Sequence, residues 1–195
     1  MYTVIGSVRT RTARVVWMLE ELGLPYDLIP HRAGSPDARA FNPSGKVPVL
    51  LVDGVALTDS TAILTFLADR HGALTFPGGS LERARQDGFS QLILDEFDAV
   101  LWTAARHSFV LPETLRLPAI KDSLKWEFAT NAERLSARLG DGPFLMGSAM
   151  TVPDVILAHC LTWAIAAKFP ETDARLTDYL ARMSARPAYL TAMAG

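Results

Sequence analysis

The chain has 195 residues, of which 49% are hydrophobic and 21% charged, so it can form a packed core and is not a disordered or low-complexity protein. Nineteen basic against twenty-one acidic residues give a formal charge of −2, which argues against nucleic acid as the main partner. The single cysteine, Cys160, excludes an internal disulfide, and the longest apolar-rich run, 155–167, is too short and too polar to span a membrane. These features predict a soluble, cytoplasmic globular protein.

The first residues predict a strand, a helix and a second strand. Residues 2–6 are mostly β-branched or aromatic, and from Ala13 the apolar residues recur at helical spacing. Gly23 and Pro25 end this helix, and residues 26–29 indicate the second strand. Because a right-handed crossover through a helix joins the two strands, we expect them to be parallel.

Two β-rich runs then predict a hairpin. The runs, 47–52 and 55–58, are separated by Asp-Gly at 53–54, a dipeptide that favours a two-residue turn. Pro48 near the opening of the first run has two explanations, which the sequence leaves open. It is either an edge-strand proline or part of a cis bond that exposes the Val47 backbone to an extended peptide ligand.

Asp59 and Ser60 begin the helix that follows the hairpin, and Gly72 closes it. One explanation is that either residue caps the helix N-terminus. The other is that this helix start presents N–H groups and a hydroxyl to the carboxylate of a ligand.

The loop of residues 7–12, between the first strand and the first helix, holds three hydroxyls and two arginines. It is either a solvated loop with a cap or the source of a hydroxyl that donates to an anion at the helix N-terminus. For a thiolate, such a bond contributes about 1.5–3 kcal/mol. That energy lowers the pKa of the thiol by about one to two units, which ionises much of it at neutral pH.

Beyond residue 75 the chain predicts helices only. We expect an α/β domain over 1–75, a linker over 76–81 and an all-helical domain over 82–195. The predicted helices cover 89–104, 119–139, 152–167 and 173–183. Thr-x-x-Asp at 151–154 predicts a capping box at the start of the third of these helices.

Other candidate sites in this region are weaker. The four histidines do not lie at metal-ligand spacing, so we expect no metal site. The acidic residues Asp95, Glu96 and Asp98 are predicted to lie on a solvated helix face, and Cys160 is predicted to be buried. The aromatic residues predicted for the core rather than a pocket are Trp102, Phe109 and Trp163.

Four segments, in order and with the expected spacing, carry a resemblance that covers nearly the whole chain. They are Arg14–Tyr26 (RVVWMLEELGLPY), Asn42–Leu50 (NPSGKVPVL), Asp59-Ser60 with Ala62-Ile63, and Thr151–Asp154. Together they resemble a glutathione S-transferase of the bacterial, soluble kind. The resemblance implies a thioredoxin-like N-terminal domain that binds glutathione and a helical C-terminal domain that completes an apolar pocket. It also implies a homodimer, with glutathione as the co-substrate.

The resemblance assigns roles in glutathione binding by position. Pro48 falls on the family's cis-proline, and Val47 on the residue whose backbone pairs with the cysteinyl part of glutathione. Asp59 and Ser60 fall on the acidic-Ser pair that holds the γ-glutamyl end. Lys46 lies near the path of the glycyl carboxylate.

The catalytic position departs from the family's pattern. Relatives with a catalytic Tyr place it just after the first strand, where this chain has Gly6 and Ser7. Relatives with Ser or Cys place it four or five residues before the arginine that matches Arg14. Thr10 lies four residues before Arg14, so we expect Thr10 to stabilise the thiolate, with Ser7 in reserve and Thr12 third.

The expected activity is that of a glutathione transferase, which activates the glutathione thiol for attack on a small hydrophobic electrophile, a disulfide or a peroxide. The alternative is a non-catalytic binding or interaction module with the same fold. The residues expected in the electrophile pocket from their position are Val8, Trp102, Arg106 and Phe109.

Overall fold

The computed structural model describes residues 1–194, and its first part is built on a four-stranded sheet of order β2-β1-β3-β4. The strands are β1 (Tyr2–Ile5), β2 (Tyr26–Ile29), β3 (Val49–Val52) and β4 (Val55–Thr58). β1 pairs in parallel with β2 and antiparallel with β3, and β3 pairs antiparallel with β4. The predicted parallel pair and hairpin are confirmed, and the sheet is thioredoxin-like.

Helices make up most of the remaining structure. They are α1 (Thr12–Glu21), α2 (Pro36–Phe41), α3 (Ser60–His71), α4 (Leu81–Ile93), α5 (Ala99–Ala105), α6 (Ile120–Arg138), α7 (Val152–Ala166), α8 (Ala174–Ser184) and α9 (Pro187–Ala194). Leu94–Asp98 and Arg106–Val110 are π-helical turns that precede and follow α5. The sequence pattern predicts neither α2 nor α9, which are short helices that begin with proline. Among the described residues, no helix is both long enough and apolar enough to cross a membrane.

The described residues fall into two compact units. The first contains residues 1–80 and, from the other end of the chain, Ser184 onward; the second contains Leu81–Met183. The first unit therefore holds the whole sheet together with α1 to α3 and α9, and the second holds α4 to α7 and all of α8 except its last residue. The division predicted from sequence, into domains over 1–75 and 82–195 with a linker over 76–81, stays a prediction.

Helix α1 lies at the centre of the first unit. All eight residues from Thr12 to Leu19 are buried, because α1 contacts β1, α3 and α9. Burial on every side explains why the apolar residues of this helix do not form a single narrow stripe.

The last helix is fixed to α1 by a charged and aromatic contact. Glu21 accepts hydrogen bonds from Trp17 Nε1 at 2.8 Å and from Arg186 Nε and Nη2 at 2.6 and 2.7 Å. The Trp17 ring also meets Tyr189 edge to face, with 4.9 Å between the ring centroids. The Glu21 side chain is only 8% exposed, so these hydrogen bonds replace the contacts with water that its carboxylate loses on burial.

The second unit is organised around α7, whose first turn confirms the predicted capping box. The Asp154 carboxylate is fully buried and accepts from the backbone N–H groups of Thr151 (2.8 Å) and Leu145 (2.9 Å). It also accepts from the Thr151 hydroxyl at 3.0 Å and from the Tyr179 hydroxyl at 2.9 Å. This side chain therefore joins α7, α8 and the loop before α7.

Two expectations for the second unit are wrong. Asp98 is 7% exposed instead of lying on a solvated face, and it belongs to the π-helical turn Leu94–Asp98. Such a turn inserts an extra residue and rotates the helix face that follows, which apolar spacing alone does not reveal. Phe109 is 69% exposed instead of lying in the core. The predicted burial of Cys160 is confirmed.

We expect Arg186→Ala to reduce the free energy of unfolding by about 1–3 kcal/mol, because it leaves a nearly buried Glu21 charge with fewer donors. Urea denaturation of the full chain measures this change. Arg182→Ala, which removes an exposed arginine from α8, is the matched control. Equal stability of the two variants would contradict a stabilising role for the α1–α9 contact.

We expect Asp154→Ala to reduce the free energy of unfolding by about 3 kcal/mol or more, because it leaves several buried donors without an acceptor. Ser35→Ala, which removes the N-cap side chain of α2 that accepts from Ala38 N–H at 3.1 Å, is the control for a simple cap. That loss is expected to be only about 1 kcal/mol. Denaturation curves that coincide for the two variants would show that Asp154 is no more than a helix cap.

Candidate functional site

Three segments of the first unit meet at Gly6, directly after β1. A Cβ atom at this position would lie 2.2 Å from Thr12 Oγ1 and 2.9 Å from Val47 Cβ. Gly6 also has φ +135°, a conformation that side chains disfavour. The missing side chain therefore lets the start of α1 and the residue before Pro48 approach the end of β1 together.

The Thr10 hydroxyl closes the turn at the start of the loop 7–12. Its Oγ1 donates to the Ser7 carbonyl at 2.7 Å and accepts from Thr12 N–H at 3.2 Å. The Thr12 hydroxyl lies 3.0 Å from it and is fully buried. Thr10, the predicted thiolate donor, therefore orders the loop, and its hydroxyl proton is already donated to the Ser7 carbonyl.

The Ser7 hydroxyl is less constrained. Its Oγ accepts from Arg9 N–H at 3.3 Å, and no residue within 1–194 accepts its proton. The side chain is half-buried, so a ligand can reach it. The two candidate donors therefore differ in a specific way: Ser7 has a proton to offer, whereas Thr10 must first release the Ser7 carbonyl.

The Val47–Pro48 peptide bond is cis, which answers the question that the sequence left open. Pro48 is buried and precedes β3, a central strand whose ladder begins at Val49. Val47 is half-buried, and neither its N–H nor its C=O has a hydrogen-bond partner within residues 1–194. This backbone is free to pair with an extended peptide.

Asp59 caps the N-terminus of α3, and Ser60 is the buried first residue of that helix. Asp59 Oδ1 accepts from Thr61 N–H at 2.9 Å and Ala62 N–H at 3.1 Å, so the capping explanation is confirmed for Asp59. Its φ of 70° is unusual for a residue with a side chain and turns the chain sharply into the helix. Ser60 is 3% exposed, and its Oγ accepts from Arg14 Nη1 at 3.3 Å.

Lys46 is exposed at the end of a loop that Asn42 orders. Asn42 Oδ1 accepts from the N–H and hydroxyl of Ser44 at 3.2 and 2.9 Å, and its Nδ2 donates to the Lys46 carbonyl at 2.9 Å. This fixes the backbone of Lys46 while its ammonium group stays in solvent.

Sequence reasoning missed three residues that position this site: Gly6, Arg14 and Asn42. Arg14 is 1% exposed and its Nη1 donates to Ser60 Oγ. A charged residue among the apolar positions of α1 indicates such a buried contact. The Asn-Pro-Ser-Gly sequence that begins at Asn42 indicates a turn.

The predicted electrophile-pocket residues are distributed over both units. Val8 is half-buried in the loop 7–12 of the first unit. In the second unit, Trp102 is half-buried on α5, and Arg106 is exposed and donates to Thr103 Oγ1 at 2.9 Å. Phe109 is exposed in the same helical segment. The role of these four residues stays a prediction.

Residues 10–70 match the family model for the N-terminal domain of glutathione S-transferases. Glutathione S-transferase 3 of Schizosaccharomyces pombe is 40% identical over 68 residues, which span 32% of this chain but only 28% of that protein. Glutathione S-transferase GstA of Escherichia coli O157:H7 is 28% identical over 155 residues, 77% of this chain and 74% of that protein.

The solved structures extend the similarity to the whole fold. The theta class glutathione S-transferase of Xanthomonas axonopodis pv. citri, crystallised with glutathione bound, superposes with a TM-score of 0.79 at 26% identity. The superposition covers 98% of this chain and 96% of that structure. The similarity thus includes the helical region that follows the sheet.

We expect Gly6→Ala to reduce the free energy of unfolding by about 3–5 kcal/mol, because the methyl group meets both Thr12 and Val47 and the backbone conformation disfavours it. Gly54→Ala is the matched control, since Gly54 has φ +85° but no described atom within 4 Å of its Cβ position. This control is expected to lose about 1–2 kcal/mol. Chemical denaturation measures both, and equal losses would contradict the close approach at Gly6.

Proposed function

We propose that this chain is a glutathione S-transferase that binds glutathione and activates its thiol for attack on a small electrophile, disulfide or peroxide. The observation that carries the proposal is the convergence at Gly6, which holds the hydroxyl-bearing loop 7–12 next to the unpaired backbone of Val47. A ligand that pairs with Val47 through its cysteinyl residue would present its sulfur to this loop.

The proposed binding mode uses one feature of the site for each part of glutathione. The cysteinyl backbone pairs with Val47 N–H and C=O beside cis-Pro48. The γ-glutamyl end binds at Asp59 and the start of α3, where the Ser60 hydroxyl can donate to its carboxylate. The Lys46 ammonium pairs with the glycyl carboxylate. Glutathione-bound relatives such as the Xanthomonas axonopodis enzyme support this choice of ligand.

The proposed chemistry needs only stabilisation of the thiolate. The thiol releases its proton to solvent, and a loop hydroxyl donates a hydrogen bond to the sulfur anion. The sulfur then forms a bond with the acceptor while the bond to the leaving group breaks: carbon–halogen at an electrophilic carbon, S–S in a disulfide or O–O in a peroxide. The leaving group departs as a halide, thiolate or alkoxide, and the thiolate or alkoxide takes up a proton from solvent. Thr10 is the proposed donor, once its proton turns from the Ser7 carbonyl to the thiolate, and Ser7 is the reserve.

Further parts of the proposal rest on the family. We propose a homodimer in the cytoplasm that takes hydrophobic acceptors, with Val8, Trp102, Arg106 and Phe109 as acceptor contacts. The competing function is a non-catalytic module, and retention of the Asp59-Ser60 pair argues against it, since a pure scaffold needs no γ-glutamyl site.

A glutathione titration at pH 7, followed by ultraviolet absorbance of the thiolate and by calorimetry, tests the proposal. A free thiol with a pKa of about 8.5 is roughly 3% ionised at this pH, and a pKa lowered by one to two units raises this to between about 25% and 75%. A saturable thiolate signal is the expected result. Binding without thiolate would contradict activation, and absence of binding at millimolar glutathione would favour the non-catalytic module.

We expect Thr10→Val to raise the pKa of bound glutathione by about one to two units, because it removes the donor but keeps the shape of the side chain. Thr10→Ser, which keeps the hydroxyl, is the matched control and should stay close to the parent. Ser7→Ala is measured in parallel by the same absorbance. If only Ser7→Ala raises the pKa, Ser7 rather than Thr10 is the donor.

A further inference from the structure

We propose that Arg9 selects acceptors that carry a carboxylate or a similar anionic group. This inference rests on the proposed function and deepens it, since it names a substrate class for the same site. Arg9 is exposed, and its side chain has no partner within residues 1–194. It lies between Ser7 and Thr10, the two hydroxyls from which the thiolate donor is drawn.

The local hydrogen bonds fix where Arg9 is attached. The Thr10 N–H donates to the Ser7 carbonyl at 2.9 Å, which makes Val8 and Arg9 the central residues of a β-turn. The Arg9 N–H donates to Ser7 Oγ at 3.3 Å, so its backbone contacts one candidate donor directly. The Arg9 side chain itself is exposed to solvent and makes no hydrogen bond within residues 1–194.

The charge of this segment points to an anion. The first acidic residue of the chain is Glu20, whereas Arg9, Arg11 and Arg14 all precede it. Arg14 is buried and reaches Ser60, and Arg11 is half-buried. Arg9 is the exposed guanidinium of the three, and a guanidinium forms paired hydrogen bonds with a carboxylate.

An anionic acceptor needs such a group at this site. It must approach a thiolate that already belongs to a negatively charged peptide, and like charges a few ångströms apart repel each other. A cation on the same loop offsets that repulsion for an anionic acceptor. A neutral acceptor has no such repulsion to offset, so its rate depends less on Arg9.

Two acceptors that differ in one charge test this inference: 4-chloro-3,5-dinitrobenzoate and its methyl ester. With either acceptor the glutathione sulfur bonds to the ring carbon that carries chlorine, the C–Cl bond breaks, chloride leaves and the thiol proton passes to solvent. The quantity measured is the ratio of kcat/KM for the carboxylate to kcat/KM for the ester. The intrinsic reactivity difference of the two acceptors cancels when variants are compared.

We expect Arg9→Gln to lower this ratio about fivefold, the size of an exposed charge pair, and added salt to lower it in the parent. Arg9→Lys keeps the charge and should retain most of the ratio. Arg70→Gln is the matched control, since Arg70 is an exposed arginine near the other end of α3, and it should leave the ratio as in the parent.

Three outcomes would overturn the inference. One is a ratio that is unchanged in Arg9→Gln because neither rate changes. Another is a ratio that is unchanged because both rates fall equally, which would mean that Arg9 acts on the thiolate instead. If the parent turns over neither acceptor, calorimetric binding of 3,5-dinitrobenzoate and its methyl ester is compared in the presence of S-methylglutathione. Equal affinity of the parent and Arg9→Gln for the benzoate is the third outcome. A parent that binds no S-methylglutathione overturns the proposed function itself.

Discussion

The arrangement of the site depends on one steric constraint, the absence of a side chain at Gly6. The end of β1, the first residue of α1 and the residue before Pro48 come so close there that a Cβ would lie 2.2 Å from Thr12 and 2.9 Å from Val47. A larger residue would have to separate these segments. The start of α1 and the residue before Pro48 would then no longer lie against the same point at the end of β1.

Helix α1, which begins beside Gly6, is also held by α9, a helix far from it in the sequence. Arg186 and Glu21 are 165 residues apart in the chain, yet they form a bidentate pair that attaches α9 to the C-terminal end of α1. The N-terminal end of the same helix begins at Thr12, beside Gly6. The packing that holds α1 in place is therefore complete only after the last helix has been synthesised, which is why local sequence alone does not specify this unit.

Features with a local cause could be predicted from the sequence, and features that depend on tertiary packing could not. The hairpin around Asp53-Gly54, the helix end at Gly72 and the Thr151 box each follow from a few adjacent residues. The burial of Asp98 depends on a π-helical turn, which leaves no clear periodicity. The role of Gly6 depends on two segments that are remote in the sequence, and α2 is too short for a periodic signal.

The proposed thiolate donor and the proposed acceptor contact use different groups of the loop 7–12. The Thr10 hydroxyl donates to the Ser7 carbonyl and lies within hydrogen-bond distance of the Thr12 hydroxyl, so both threonines contribute to the shape of the loop. The Arg9 side chain takes no part in these bonds, although its N–H does. On the two proposals above, exchanging Arg9 changes the charge of the preferred acceptor but leaves the side-chain hydrogen bonds of the proposed thiolate donor in place.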